Sequence, residues 1–209
     1  MFEKGACLLL SGPSGSGKST LIKEILTRFE DVYFSVSTTT RPRREGEVDG
    51  KDYHFVSKEL FEKEIEAGMF LEWARVHGNY YGTSLRPVME ALEAGKLVVF
   101  DIDVQGFEAI RKSPLAPITT SVFVTTPTLE ELRRRLEARG CDDAATIERR
   151  LENAKKEIVY MPRYDYVLIN DDVQKTKERI VALAQVARLK RSPEELREFI
   201  ERWMGSVGF

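Results

Sequence analysis

The stretch LLLSGPSGSGKSTLIKEIL, Leu8 to Leu26, leaves few folds open. An apolar run of strand length stops at a set of small residues, after which Leu21, Ile22, Ile25, Leu26 and Phe29 recur at the spacing of one helix face. The segment reads strand, loop, helix. Its loop, Gly12 to Ser19, fits G-x-x-x-x-G-K-[ST]. Glycines let the backbone turn so that successive N–H groups point inward, Lys18 adds a point charge, and Ser19 offers a hydroxyl to Mg²⁺. A flexible glycine turn is the plain alternative, but a turn placed between a strand and a helix favours a phosphate-binding loop. Gly12, Pro13, Ser14, Gly15, Ser16, Gly17, Lys18, Ser19 and Thr20 are then expected around a nucleoside triphosphate.

Short apolar strands at ACLLL, KLVVFDID, TSVFVTT and YDYVLIN alternate with stretches of helical period, which predicts an α/β domain with a mainly parallel sheet. From Val32 to about Tyr81 the texture turns β-prone, aromatic and glycine-punctuated, as an inserted β-rich subdomain would be. Thr128 to Tyr160 is charged and helical, broken at RGCDDAA, so a helix–turn–helix flap is expected whose second helix begins at Asp142 or Asp143. In the tail, Ser192, Pro193 and Glu195 form a capping signal ahead of an apolar stripe at Leu196, Phe199, Ile200, Trp203 and Met204. Such a stripe needs a covering surface, either its own domain, the reading preferred here, or a second subunit.

The net charge of −2 and pI near 5.9 provide no overall basic field for nucleic acid or an anionic membrane, so any anion site is local. Two cysteines, Cys7 and Cys141, make neither a disulfide framework nor a metal quartet, and a cytoplasmic protein is expected. No apolar run approaches the roughly 18 residues of a membrane span.

A triphosphate site alone serves a switch, a motor or a kinase, and only a kinase needs a second site for an acceptor. The insert supplies candidates: Ser37, Arg41, Arg43 and Arg44 in SVSTTTRPRR, Tyr53 in DYHF, and Tyr80, Tyr81, Thr83 and Ser84 in GNYYGTS. Guanidinium forks and phenol hydroxyls suit a phosphate monoester, although RPRR standing alone reads rather as a solvated basic turn. In order after the loop, SVSTTTRPRREGEVDGKDYHF, FLEW, GNYYGTS, FDIDVQG, RLEARG and IERRL resemble the guanylate kinase family over about Lys4 to Gln185.

The resemblance implies transfer of phosphate from ATP to GMP, and use of dGMP, on a P-loop NTPase core (4–31, 86–127 and 160–185) with a GMP-binding insert (32–85), a helical lid (128–159) and a separate tail (186–209). It implies that Ser37, Arg41, Arg44, Tyr53 and Tyr81 hold the GMP phosphate while Glu72, Thr83 and Asp103 read the guanine. An ionised Glu72 is acceptor-only and suits guanine N1–H and the 2-amino group, and the Thr83 hydroxyl can donate to O6. Where the family has R-x-P-R this chain has Arg41-Pro42-Arg43-Arg44, leaving open which of Arg43 and Arg44 reaches the phosphate.

Asp101 and Asp103 end an apolar strand where ligands gather at a parallel sheet's carboxyl edge, and strand alternation puts both on one side. Asp101 is expected to support Mg²⁺ through water, with Ser19; capping of the next helix is the plain alternative for the pair. The resemblance assigns Arg135, Arg139 and Arg150, with Lys18, to charge on the transferring phosphoryl group, and Asn170 to the adenine side. Arg133, Arg134 and Arg149 read as a solvated helix face. A phosphate acceptor needs no strong base, so His54 and His77 are read as structural. The rival reading is a binding module of the same fold whose catalysis is lost, which a damaged loop or lid would signal. ATP and GMP are the partners implied, with a monomer or homodimer as the assembly.

Overall fold

The structure, a computed structural model, describes residues 4–76, 78–138, 140 and 142–205, so His77, Arg139 and Cys141 lie outside the described residues. Strands Ala6–Ser11 (β1), Val32–Phe34 (β2), Leu97–Asp101 (β7), Thr119–Thr125 (β8) and Tyr166–Ile169 (β9) form a parallel sheet in the order β2-β7-β1-β8-β9. Central β1 is buried on both faces, which explains its unbroken apolar sequence. Leu8 and Leu10 meet Leu21 and Ile25 of helix α1 (Lys18–Arg28) and Ile180 and Ala184 of α7 (Val173–Ala187). Cys7 and Leu9 point to the other side, toward Val88 and Leu92 of α3 (Leu85–Glu93) and Phe107 and Ile110 of α4 (Val104–Arg111). Burial pushes the Cys7 thiol up to about 12, so it behaves as a small apolar residue.

Thr38–Thr39 (β3), His54–Phe55 (β4), Phe70–Val76 (β5) and Asn79–Ser84 (β6) form a second sheet, ordered β4-β3-β6-β5. Helix α2 (Lys58–Glu66) packs on it through Phe61, whose ring stacks on Phe70 at 4.1 Å and Tyr80 at 5.2 Å. The segment from Val32 was expected to belong with these strands, but β2 pairs with β7 in the parallel sheet. Its β-prone texture resembles the insert, whereas its packing follows from alternation: Val32 and Phe34 lie against one core cluster, Tyr33 against the other.

Helices α5 (Leu129–Ala138) and α6 (Ala144–Glu157) share a small core of Leu132, Leu136, Ile147, Leu151 and Ala154. Asp143 caps α6 by accepting from the Thr146 N–H at 2.7 Å, which decides between the two candidate caps. Two apolar expectations differ. Leu26 is exposed, and Phe29, at the C-cap of α1 instead of inside the helix, still packs against the core beside Leu21, Ile22 and Ile25. Helix α8 (Pro193–Gly205) forms with its capping box in place, Ser192 N–H to Glu195 Oε2 at 2.9 Å and Glu195 N–H to Ser192 Oγ at 3.1 Å.

Most of the α8 stripe is open to solvent, against the packing on its own domain preferred above: Leu196, Phe199, Ile200, Trp203 and Met204 are exposed, from 43% to 62%. Among the described residues the sheet faces are covered by α1 with α7 and by α3 with α4. Deleting residues 192–209 is therefore expected to remove under about 1 kcal/mol from the monomer and to shift Tm by less than about 4 °C, read by thermal denaturation at low protein concentration.

Candidate active site

The glycine loop follows the carboxyl end of β1, between β7 and β8, where successive connections leave for opposite sides of the sheet. Helix α1 begins at Lys18, and its cap, Gly17 at φ 101°, contributes no side chain. No acidic residue occupies the first turn, so the amides and the positive end of the dipole are left for an anion. Lys18 Nζ donates to the Gly12 carbonyl at 2.6 Å and lies 3.8 Å from Asp101. Three distant groups brace this segment: Asn170 Nδ2 donates to the Ser16 carbonyl at 2.8 Å, Arg150 Nη1 to Ser14 Oγ at 2.6 Å, and Ser11 Oγ to the Ile102 carbonyl at 2.7 Å. A Cβ on Gly17 would collide with the Asn170 amide, so glycine there serves both the left-handed backbone and the brace.

A cleft of about 390 Å³ is lined by Gly12, Ser14, Gly15, Gly17, Lys18 and Ser19 together with Asp101, Ile102, Asp103 and Glu157. Ser19 and Thr20 are exposed at the start of α1. Burial raises the Asp101 carboxyl above its usual range, with Lys18 opposing; burial also raises Glu157, against the pull of Lys18. The argument from strand alternation for Asp101 and Asp103 fails. The strand ends at Asp101, and Asp103 is the N-cap of α4, its Oδ1 accepting from the Gln105 and Gly106 N–H groups at 2.9 Å each.

Asn170 also departs from expectation. It is 3% exposed with its amide directed into the loop, an arrangement that favours bracing over contact with a base. Its carbonyl accepts from Arg135 Nη2 at 2.7 Å, while Arg135 Nε donates to Glu131 at 2.7 Å. Arg134 and then Arg135 hold the Glu131 carboxyl down at about 2. Arg150 is pinned by Asp142 at 2.9 Å. Arg135 and Arg150 thus reach the loop side, whereas Arg133 and Arg134 bind the lid carboxylates Glu148 and Glu131. Arg149 only approaches Thr146 within its own helix, at 3.4 Å.

On the second sheet, Glu72 and Thr83 are register partners across β5 and β6, just past a bulge, and Thr83 Oγ1 donates to Glu72 Oε1 at 2.8 Å. The Arg41 guanidinium lies over Tyr53 at 5.5 Å, and Tyr53 meets Tyr81 edge to face at 6.0 Å. Ser37 stands just before β3, its carbonyl accepting from the His54 N–H. His54 Nε2 is 3.3 Å from the Tyr33 hydroxyl, joining the two sheets, in keeping with a structural role. The Tyr80 hydroxyl donates to Glu62 at 3.1 Å. Arg43 and Arg44 are both exposed. No hydrogen bond or ion pair among the described residues joins this group to the glycine loop.

The family model described as "Guanylate kinase" matches residues 4–186. The chain belongs to the guanylate kinase family. It is 54% identical over 201 residues to a guanylate kinase of Sulfurimonas denitrificans, covering 96% of this chain and 97% of that one. Identity is 52% to a guanylate kinase of Wolinella succinogenes, over 96% and 93% of the two chains. The crystal structure of guanylate kinase from Anaplasma phagocytophilum superposes with a TM-score of 0.66 at 33% identity, over 91% of this chain and 89% of that chain.

Within this guanylate kinase fold two residues escaped sequence reasoning. Glu157 ends α6 among lysines and glutamates that look uniformly solvated, and only folding brings it beside Lys18 and Asp103. Glu47 sits in a charged turn and grips Arg41 by both oxygens. Bracing by Asn170 is testable. Asn170→Ala removes one buried hydrogen bond worth about 0.5–1.5 kcal/mol, so the KM for the nucleoside triphosphate should rise about two- to tenfold while the acceptor KM stays unchanged, in steady-state titrations of each.

Proposed function

We propose that the chain transfers the γ-phosphoryl group of ATP to GMP, giving ADP and GDP. The observation that carries this is the 2.8 Å pair of Thr83 and Glu72 facing each other across two strands. On guanine entry the two donors of the base meet the Glu72 carboxylate, and the Thr83 hydroxyl turns from Glu72 to donate to O6. Adenine would leave Glu72 without donors, the costly kind of mismatch. Ser37, Arg41, Arg44, Tyr53 and Tyr81 hold the acceptor phosphate. Asp103, oriented by its cap, addresses the acceptor nucleoside with its second oxygen. None of these groups is assigned to the ribose 2′-hydroxyl, so dGMP is a substrate too.

The glycine loop from Gly12 to Thr20 binds ATP, with Asn170 bracing it. Ser19 and, through water, Asp101 are hard oxygen donors that fit Mg²⁺, which when bound would neutralise charge on the β- and γ-phosphates. Lys18, Arg135, Arg139 and Arg150 stabilise charge on the transferring group, and alignment with charge neutralisation suffices because the attacking atom is a phosphate oxygen. An undamaged loop and lid argue against a module that only binds. The enzyme returns GMP to the purine nucleotide pool in the cytoplasm, as a monomer or homodimer.

A coupled ADP-release assay with GMP, AMP, UMP and dTMP should give turnover with GMP far above the weak turnover with the others; equal turnover with AMP sinks the assignment. Lys18→Met is expected to abolish transfer at unchanged Tm, because the residue supplies charge to the polyphosphate rather than packing. Glu72→Gln loses a charge-assisted bond and places an amide against a guanine donor, a loss of about 2–4 kcal/mol in transition-state binding. kcat/KM for GMP should fall roughly 30- to 1000-fold. AMP should lose much less. An equal loss for both substrates would mean that Glu72 supports the fold and does not read the base.

A further inference from the structure

The donors of Arg41 can be followed one by one. Nη1 donates to Glu47 Oε2 at 3.1 Å and to the Pro42 carbonyl at 2.7 Å, and Nη2 donates to Glu47 Oε1 at 2.7 Å. A guanidinium carries two N–H groups on each Nη and one on Nε. The bonds to Glu47 and Pro42 therefore leave the second Nη2–H and the Nε–H, two donors side by side on one edge, with the spacing that binds a carboxylate or phosphate by two parallel bonds. The Tyr81 phenol acts on the same guanidinium, and the rings of Tyr53 and Phe55 flank it at 5.5 and 5.7 Å. Arg41 is thus held at one end and walled by aromatic rings.

Glu47 is itself fixed. Its Oε2 also accepts from the Arg44 N–H at 2.7 Å, and its own N–H donates to the Arg44 carbonyl at 3.2 Å, closing the turn from 44 to 47. The carboxylate is oriented by backbone and in turn orients a side chain that would otherwise sample many rotamers. We propose that Glu47 is a positioning residue for the acceptor: it grips Arg41 end-on and so presents the Nε–Nη2 edge, beside the Tyr81 hydroxyl, to the incoming phosphate monoester. This rests on the reading that Arg41 holds the acceptor phosphate. The opposite role is also physically coherent, a carboxylate seated where the phosphate belongs and displaced by it, and the two predict effects of opposite sign.

The experiment compares wild type, Glu47→Gln, Glu47→Ala, Arg41→Ala and the double variant Arg41→Ala with Glu47→Gln, measuring kcat and the KM for GMP and for ATP. Glutamine keeps the size of the side chain and an acceptor for the Arg44 N–H, so the turn is retained, but it sets an NH₂ against the guanidinium. The expected result is a rise of about tenfold in the GMP KM for Glu47→Gln and more for Glu47→Ala, with kcat within about twofold and the ATP KM unchanged. In the Arg41→Ala background, Glu47→Gln should add nothing, because glutamine retains the contact with the Arg44 N–H and the proposed route through Arg41 has gone. A fall in the GMP KM would overturn the proposal in favour of a competing carboxylate. An equal rise in both backgrounds would overturn it by showing that Glu47 acts elsewhere. Wild-type turnover of GMP tests the underlying reading separately: its absence removes that reading and the proposal together, whereas its presence with an unchanged GMP KM in Arg41→Ala removes only the role of Arg41 and Glu47.

Discussion

The bond from the Asn170 amide to the Ser16 carbonyl, 2.8 Å long and joining positions 154 residues apart, holds together what the loop cannot hold by itself. A glycine-rich turn is open to many conformations, and a helix start without a side-chain cap leaves donors unsatisfied. Both features suit an anion and neither defines a shape. The shape comes from the ends of other elements: β9 delivers Asn170, α6 delivers Arg150 to Ser14, and β7 runs on to the Ile102 carbonyl that receives Ser11. Asn170 also accepts Arg135 on its own carbonyl, so one residue couples the lid to the loop.

A second constraint is electrostatic. The chain is nearly neutral, and four of the cations proposed for phosphate already have internal partners: Lys18 the Gly12 carbonyl and Asp101, Arg41 Glu47, Arg135 Glu131, Arg150 Asp142. Thr83 and Glu72 are likewise paired with each other. Leaving such groups unpaired in partly buried positions would be unfavourable, so the protein satisfies them internally until a ligand offers better partners. Binding on this arrangement exchanges hydrogen bonds instead of creating them. On the function proposed above, selectivity would depend on whether an entering base or phosphate replaces every bond it displaces.

Much of this was legible in the chain as written. Strand–loop–helix, the four core strands, the lid helices and the tail capping box follow from apolar period and turn residues, which are local properties. Val32–Phe34 was misplaced because composition carries no information on which sheet a β-prone segment joins; that depends on an uncovered edge of β7. Leu26 and the α8 stripe look as apolar as the residues that are buried, and their exposure follows from how much sheet surface other helices had already covered. Asp101 and Asp103 were put on one side by extending strand alternation two residues beyond the point where the strand ends.

The sequence by itself determined the α/β class and the anion-binding turn, while the ordered motifs carried only a resemblance, and the acceptor-site residues came with it as implications. The class and the turn follow from short-range spacing, since period, capping and loop geometry depend on neighbours within a few residues. Tertiary structure alone decided that Asn170 braces the loop, that Glu157 stands beside Lys18 and that Glu47 grips Arg41. Each of these depends on the direction of a side chain relative to a group on another turn or element, and chain spacing does not encode direction once the backbone has turned.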